Sequence, residues 1–169
     1  MKGTRRLVLL ALMTSLALVL SIIESWIQIP VPVYGVKLGL ANIVTLAVLI
    51  FFGPGEAVLV VIARVALSSI FGGGFVIFLF SISGGLLSTV VMAFLQKRGS
   101  AWFSILGVSI AGSIMHNIGQ LLVASMIMKE IAVMTYLPVL LISGVVMGCF
   151  TGLCTRFMVK AMERSKIGL

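Results

Sequence analysis

The chain of 169 residues is 61% apolar and only 9% charged, with a mean hydropathy of +1.30, whereas a soluble domain carries about 25% charged residues. That balance excludes a soluble domain and points to an integral membrane protein with several spans and little mass outside the bilayer. The formal net charge of +8 does not point to nucleic acid, because the Lys and Arg residues gather at span ends, where they set topology.

The carboxylates are Glu24, Glu56, Glu130 and Glu163, and there is no aspartate. Chemistry that needs paired aspartates on magnesium is therefore excluded for this chain alone. Cys149 and Cys154 lie five apart on one predicted helix, too far round it to pair with each other, and read as free thiols.

The first predicted span covers residues 7–29. Lys2, Arg5 and Arg6 precede it in the manner of a signal peptide, but the apolar run continues to Ile29 without an A-x-A site. It therefore reads as a retained span. Ala11 with Ser15, and Ala17 with Ser21, are small-xxx-small pairs that allow close helix approach. Glu24 lies near the outer end, either solvated or part of a site. Pro30, Pro32 and Gly35 then impose a loop. The segment KLGLAN leads into a second span at 38–52, with Lys37 and Asn42 bracketing its start.

Gly53-Pro54-Gly55-Glu56 breaks the apolar run before a third span at 57–71, which contains Arg64 and Ser68. Three glycines, Gly72 to Gly74, connect it to a fourth span at 75–95. The fifth span, 101–128, carries the single histidine. On its helix Gly112, His116, Gln120 and Ala124 recur every four residues, with Ser113 and Asn117 beside them. These positions form one polar face. Because polar groups are costly against lipid, that face should point inward. It reads either as a hydrogen-bond seam between packed helices or as a wall of a small-molecule site. A sixth span at 133–158 bears Gly144, Gly148 and Gly152 at four-residue spacing, a close-packing ridge.

With six spans, Lys2, Arg5, Arg6, Lys97, Arg98, Arg156, Lys160, Arg164 and Lys166 fall on one side, and only Lys37 and Lys129 on the other. The positive-inside rule then places both termini in the cytoplasm. The second and third spans are short enough to form a single kinked or re-entrant element, but five spans would split the basic clusters.

A mid-membrane Arg is a functional-site candidate, and its planar fork of donors suits phosphate or carboxylate. Alternatively, Arg64 binds carbonyls near the GPGE break and is structural. Under the functional reading, Arg64, Lys37 and His116 favour an anionic ligand, Glu24 is the opposing charge, and Asn42, Ser68, Asn117 and Gln120 add neutral hydrogen bonds. No Gly-rich phosphate loop with Lys, no metal-ligand cluster and no nucleophile–base–acid set occurs in the sequence. No catalytic residue, metal or cofactor is therefore expected.

The segments VKLGLANIVTLAVLIFFGPGEAVLVVIARVALSSIFGGG, FLFSISGGLLS and HNIGQ resemble the Gx transporter family, which is similar to S components of energy-coupling factor (ECF) transporters. The same family is also labelled heptaprenyl diphosphate synthase component I. The resemblance covers nearly the whole chain. It implies an all-α membrane protein, a bundle of six transmembrane helices in the bacterial cytoplasmic membrane, with a solute site in the outer half and the first loop as a lid. It also implies docking of span one, through an A-xxx-A pattern matched here by Ala11 and Ser15, onto a transmembrane coupling subunit with cytoplasmic ATPases. The main functional expectation is capture of a small anionic solute, such as a flavin or vitamin, for an ECF-type importer. The alternative is a non-catalytic membrane subunit in prenyl diphosphate or quinone synthesis, or in flavin-dependent electron transfer. A ligand-free scaffold is the third possibility. Prenyl diphosphate synthases use Asp-rich magnesium motifs, so this chain cannot perform that reaction alone.

Overall fold

The computed structural model describes residues 3–27, 39–99 and 103–165. There the apolar runs form α1 (Gly3–Trp26), α2 (Asn42–Phe51), α3 (Pro54–Ser68), α4 (Gly74–Gly99), α5 (Ile105–Met128) and α6 (Leu137–Arg164). A π-helical turn, Ser69–Gly73, joins α3 to α4, and a 3-10 turn, Ile131–Tyr136, leads into α6.

The breaks follow from local chemistry. Gly53 (φ 106) and Gly74 (φ 67) take backbone conformations that L side chains rarely adopt, at the connections into α3 and α4. Pro54 opens α3, where its missing N–H costs nothing. Ser104 caps α5 by accepting from the N–H of Gly107 at 3.3 Å.

Five helical segments are long and apolar enough to cross a membrane among the described residues: Gly3–Trp26, Pro54–Phe71, Gly74–Arg98, Ile105–Met128 and Val133–Arg164. The expected span at 38–52 is helical only over Asn42–Phe51. Ten residues rise about 15 Å, half the hydrocarbon thickness of about 30 Å. Gly53 and Pro54 stop the helix at its far end. Every residue from Asn42 to Leu49 is buried, so α2 is mainly apolar on all sides because it is enclosed by other helices.

The helices α4, α5 and α6 form a tightly packed row with α5 in the middle. On one flank of α5, a Cβ added to Gly119 would stand 2.9 Å from the Cα of Gly84. On the other, a Cβ on Gly148 would stand 2.5 Å from the Cα of Ile110, and one on Gly152 would stand 3.1 Å from the Cα of Leu106. The predicted glycine ridge of α6 thus faces α5. Ser109 and Thr151 share a hydrogen bond of 2.8 Å across that interface, and Thr155 donates to the carbonyl of Ile43 on α2 at 3.3 Å. Helix α1 lies at the periphery and, among the described residues, packs on α2 and α3.

Two apolar clusters mark the ends of the bundle. One gathers Leu10, Met13 and Ala17 of α1, Leu46, Val48 and Leu49 of α2, Ala57 and Val60 of α3, Met92 of α4 and Val108 of α5. The other gathers Phe80 of α4, Leu121 and Ala124 of α5, Val133, and Leu140 of α6. Helices α1, α3 and α5 therefore start from one end, and α2 and α4 return to it. An ion pair between Arg6 and Glu56 ties the first turns of α1 and α3 together at that end.

Replacing Gly148 by Leu is expected to cost about 3 kcal/mol or more, because the added side chain meets backbone and not a flexible side chain. Gly55→Ala, where a Cβ meets nothing within 4 Å, is the matched control. Expression level and thermal unfolding in detergent would measure both; a Gly148→Leu protein as stable as wild type would show that the α5–α6 crossing is not close.

Candidate functional site

Between the two apolar clusters lies a buried layer of polar side chains contributed by successive helices. Near the end of α1, Glu24 is 3% exposed. Its carboxylate accepts from the backbone N–H of Gly39, and from that of Leu40 at 3.2 Å. These amides precede α2, so Glu24 supplies the anion that a helix N-terminus favours. Gly39 sits at φ 88, which turns its N–H toward α1. The alternative of a solvated Glu24 is thereby removed.

Arg64, on the inner face of α3, is 2% exposed. It interacts electrostatically with Glu24. Its Nε and Nη2 are buried and make no hydrogen bond among the described residues. Both amide atoms of the buried Asn42 are in the same condition. Buried polar atoms are ordinarily bonded, and an unfilled guanidinium in a low-dielectric interior is costly.

Two adjacent glycines of α4 bring the groups together. A Cβ on Gly85 would lie 3.2 Å from Arg64 Nη2. One on Gly84 would lie 3.2 Å from His116 Cε1 and 3.0 Å from Gln120 Cγ. His116 in turn approaches the start of α2: a Cβ on Gly39 would be 3.5 Å from its Cδ2 and 2.8 Å from Asn42 Nδ2. The shared depth of Arg64 and His116 expected from their mid-span positions is thus matched by their places on either side of Gly84–Gly85. His116, Asn117 and Gln120 are all buried on the inward face of α5.

The predicted residues do not all join this cluster. Asn117 donates from Nδ2 to the carbonyl of Leu140 at 2.7 Å and so bridges α5 to α6. Its amide serves the interhelical seam, one of the two readings of this face. Ser68 is half-buried and bonds the carbonyl of Val65 in its own helix at 3.1 Å. Lys37 lies outside the described residues, as does most of the expected lid. Ala11 and Ser15 are exposed on α1. The Ser15 hydroxyl donates to the Ala11 carbonyl at 3.0 Å, so the surface there is small and polar-satisfied. Sequence reading places Gly85 with Ser81 and Thr89 at four-residue spacing on the fourth span but does not assign it, Gly84 or Gly39 to the site, although GG within FLFSISGGLLS is a legible mark of close approach.

What the arrangement offers is a closely packed polar layer in which a guanidinium and an amide hold buried donor atoms without hydrogen-bond partners among the described residues. Among the described residues, no three His, Cys, Asp or Glu side chains come together to hold a metal. Replacing Glu24 by Ala removes the anion that faces Arg64 and leaves two α2 amides without their acceptor. The expected loss is about 3 kcal/mol or more, as for breaking a buried charge pair. Asn117→Ala, which deletes one neutral bond, should cost about 1 kcal/mol. Thermal unfolding in detergent would rank the two; equal stabilities would mean that Glu24 carries no structural charge.

A model of the family described as heptaprenyl diphosphate synthase component I matches residues 13–158 of the chain. No curated protein and no solved structure matches it. The match runs from the middle of α1 almost to the end of α6 and includes every residue of the polar layer. With its all-helical membrane architecture and that extent of match, the chain belongs to the heptaprenyl diphosphate synthase component I family.

Proposed function

We propose that this chain is a non-catalytic, membrane-embedded binding subunit that holds a small anionic molecule in its polar layer. The observation that carries the proposal is the buried guanidinium of Arg64, with Nε and Nη2 lacking hydrogen-bond partners among the described residues, where α4 approaches closely through Gly84 and Gly85. Two donor atoms in a fixed fork suit a phosphate or carboxylate. Asn42, His116 and Gln120 are buried close by in the same layer. Among the described residues Glu24 is the carboxylate that acts on Arg64, and a ligand anion would share that charge.

The family description supports a role as one component of an assembly that makes a prenyl diphosphate. On this account a catalytic partner component supplies the Asp-rich magnesium chemistry that this chain lacks, and the chain supplies the membrane site. A second reading, capture of a flavin- or vitamin-like solute for an ECF-type importer, is favoured by α1. That helix is peripheral and exposes Ala11 and Ser15 between Leu7, Val8, Leu12 and Leu16, a small-residue surface onto which a coupling subunit with cytoplasmic ATPases would pack.

We place both termini in the cytoplasm of a bacterial cell, with six membrane-entering helices of which α2 reaches only part-way. The support is the charge asymmetry, with Lys97 and Arg98 ending α4 and Arg156, Lys160 and Arg164 ending α6, while the opposite end holds Lys129. A cysteine at position 129 should label from outside in intact cells and one at position 97 only from inside. Outside labelling at 97 would overturn the orientation.

Native mass spectrometry of the protein purified from its own membrane would identify bound small molecules and copurifying subunits. A prenyl diphosphate and a synthase partner would support the first reading; a vitamin-like solute with ATPase subunits would support the second. Arg64→Ala should weaken binding of the identified anion by about 2 kcal/mol, measured by calorimetry in detergent, as for loss of a charge-assisted bond. Unchanged affinity in a folded Arg64→Ala protein would return Arg64 to a structural role and remove the anionic assignment.

A further inference from the structure

The outer face of α6 carries an unbroken line of exposed side chains. Val139, Ile142, Val146, Phe150, Leu153 and Phe157 follow one another at spacings of three and four residues, which keeps them on one side of the helix. Lys160 and Arg164 continue the same line and are also exposed. From Val139 to Phe157 the rise is ~27 Å, close to the hydrocarbon thickness of ~30 Å. Lys160 and Arg164 then stand about 5 and 10 Å beyond the last apolar residue along the axis, at the depth of lipid phosphates.

At that point the surface is not flat. Phe157, Lys160, Ala161, Arg164 and Ser165 line an open groove of about 430 Å³. Arg156, Lys160 and Arg164 make no ion pair among the described residues. Glu163 is the sole carboxylate near them in sequence, so the helix end keeps a net positive charge.

We propose that this groove holds the headgroup of an anionic phospholipid from the leaflet at the basic end of the bundle. Its phosphate sits between the Lys160 ammonium and the Arg164 guanidinium, and an acyl chain lies along Phe157, Leu153 and Phe150. The dimensions select a lipid over a soluble anion: cations and apolar line share one face, and their junction falls where headgroup meets acyl chain. Charge selects an anionic lipid over a zwitterionic one. The site lies on the lipid-facing side of α6, apart from Arg64, so it stands or falls independently of the proposed function.

The test uses the full-length protein in nanodiscs of mixed phosphatidylglycerol and phosphatidylcholine, with retained lipids counted by native mass spectrometry. Wild-type protein should retain phosphatidylglycerol over phosphatidylcholine by roughly tenfold, given the attraction each cation supplies near an anionic surface. The Lys160→Gln, Arg164→Gln double variant should bring the ratio close to one. Lys160→Arg should keep the preference, and so should Lys97→Gln, which removes a charge at the same end of the bundle but off this face. All of these side chains are exposed, and a thermal unfolding curve for each variant confirms folding. Retention of the preference in the folded double variant would overturn the proposal. Equal loss in Lys97→Gln would also do so, since it would reduce the effect to overall charge. Displacement of the lipid by millimolar inorganic phosphate would assign the groove to a soluble anion instead.

Discussion

A guanidinium cannot be left alone in the interior of a membrane protein. The organisation of this bundle turns on how Arg64 is accommodated. Placing a charge at bilayer depth is costly, so α3 directs Arg64 inward, where it is 2% exposed. The opposing charge comes from α1, through Glu24. That carboxylate is itself fixed by the first amides before α2, which lets a helix N-terminus and a cation share one anion. The short helix α2 is thereby held at the level of the polar layer, and its apolar length extends away into the cluster formed with α1 and α3.

Small residues make this layer reachable. At Gly84 and Gly85 the surface of α4 is low enough for Arg64 to approach from one side and His116 with Gln120 from another. On the far flank of α5, Gly144, Gly148 and Gly152 do the same for α6. In a bilayer, apolar side chains gain little by leaving lipid for one another, so close van der Waals packing and interhelical hydrogen bonds supply the association. The bonds from Asn117 to Leu140, from Ser83 to Gly119 and between Ser109 and Thr151 fill that role. The row α4–α5–α6 forms one wall of the layer, and α1 lies at its side, where among the described residues it packs on α2 and α3.

The family description and the residues bear on different questions. The description speaks of a synthase component. The residues say what this component lacks. Of its four carboxylates, Glu24 is committed to Arg64 and the α2 amides and Glu56 to Arg6. Glu130 and Glu163 stand exposed beyond the apolar stretches of the chain. Among the described residues they do not come together in a group that could hold a metal ion. Both proposed readings rest on the same buried polar layer around Arg64, and they differ in what would be bound and in which protein would sit alongside.

Much of the architecture was legible from the order of residues. Composition required a membrane protein, apolar length placed the helices, and the four-residue recurrence of Gly112, His116 and Gln120 identified the inward face of α5. The α6 ridge of glycines announced a close crossing. Those features are local: helical periodicity and the cost of polarity in lipid act on one segment at a time. Tertiary structure decided the rest. Glu24 could have been solvated, and only its reach across to Gly39 and Leu40 shows it buried. Asn117 had the credentials of a ligand contact, and the nearness of the Leu140 carbonyl makes it a bridge between helices. The stretch around 38–52 was apolar enough for a span, yet α2 is ten residues long and enclosed, because hydropathy records the absence of water and does not tell lipid from protein. Which helix faces lipid, and which groups meet across a crossing, depends on pairings between segments far apart in the chain, and a pattern within one segment does not encode them.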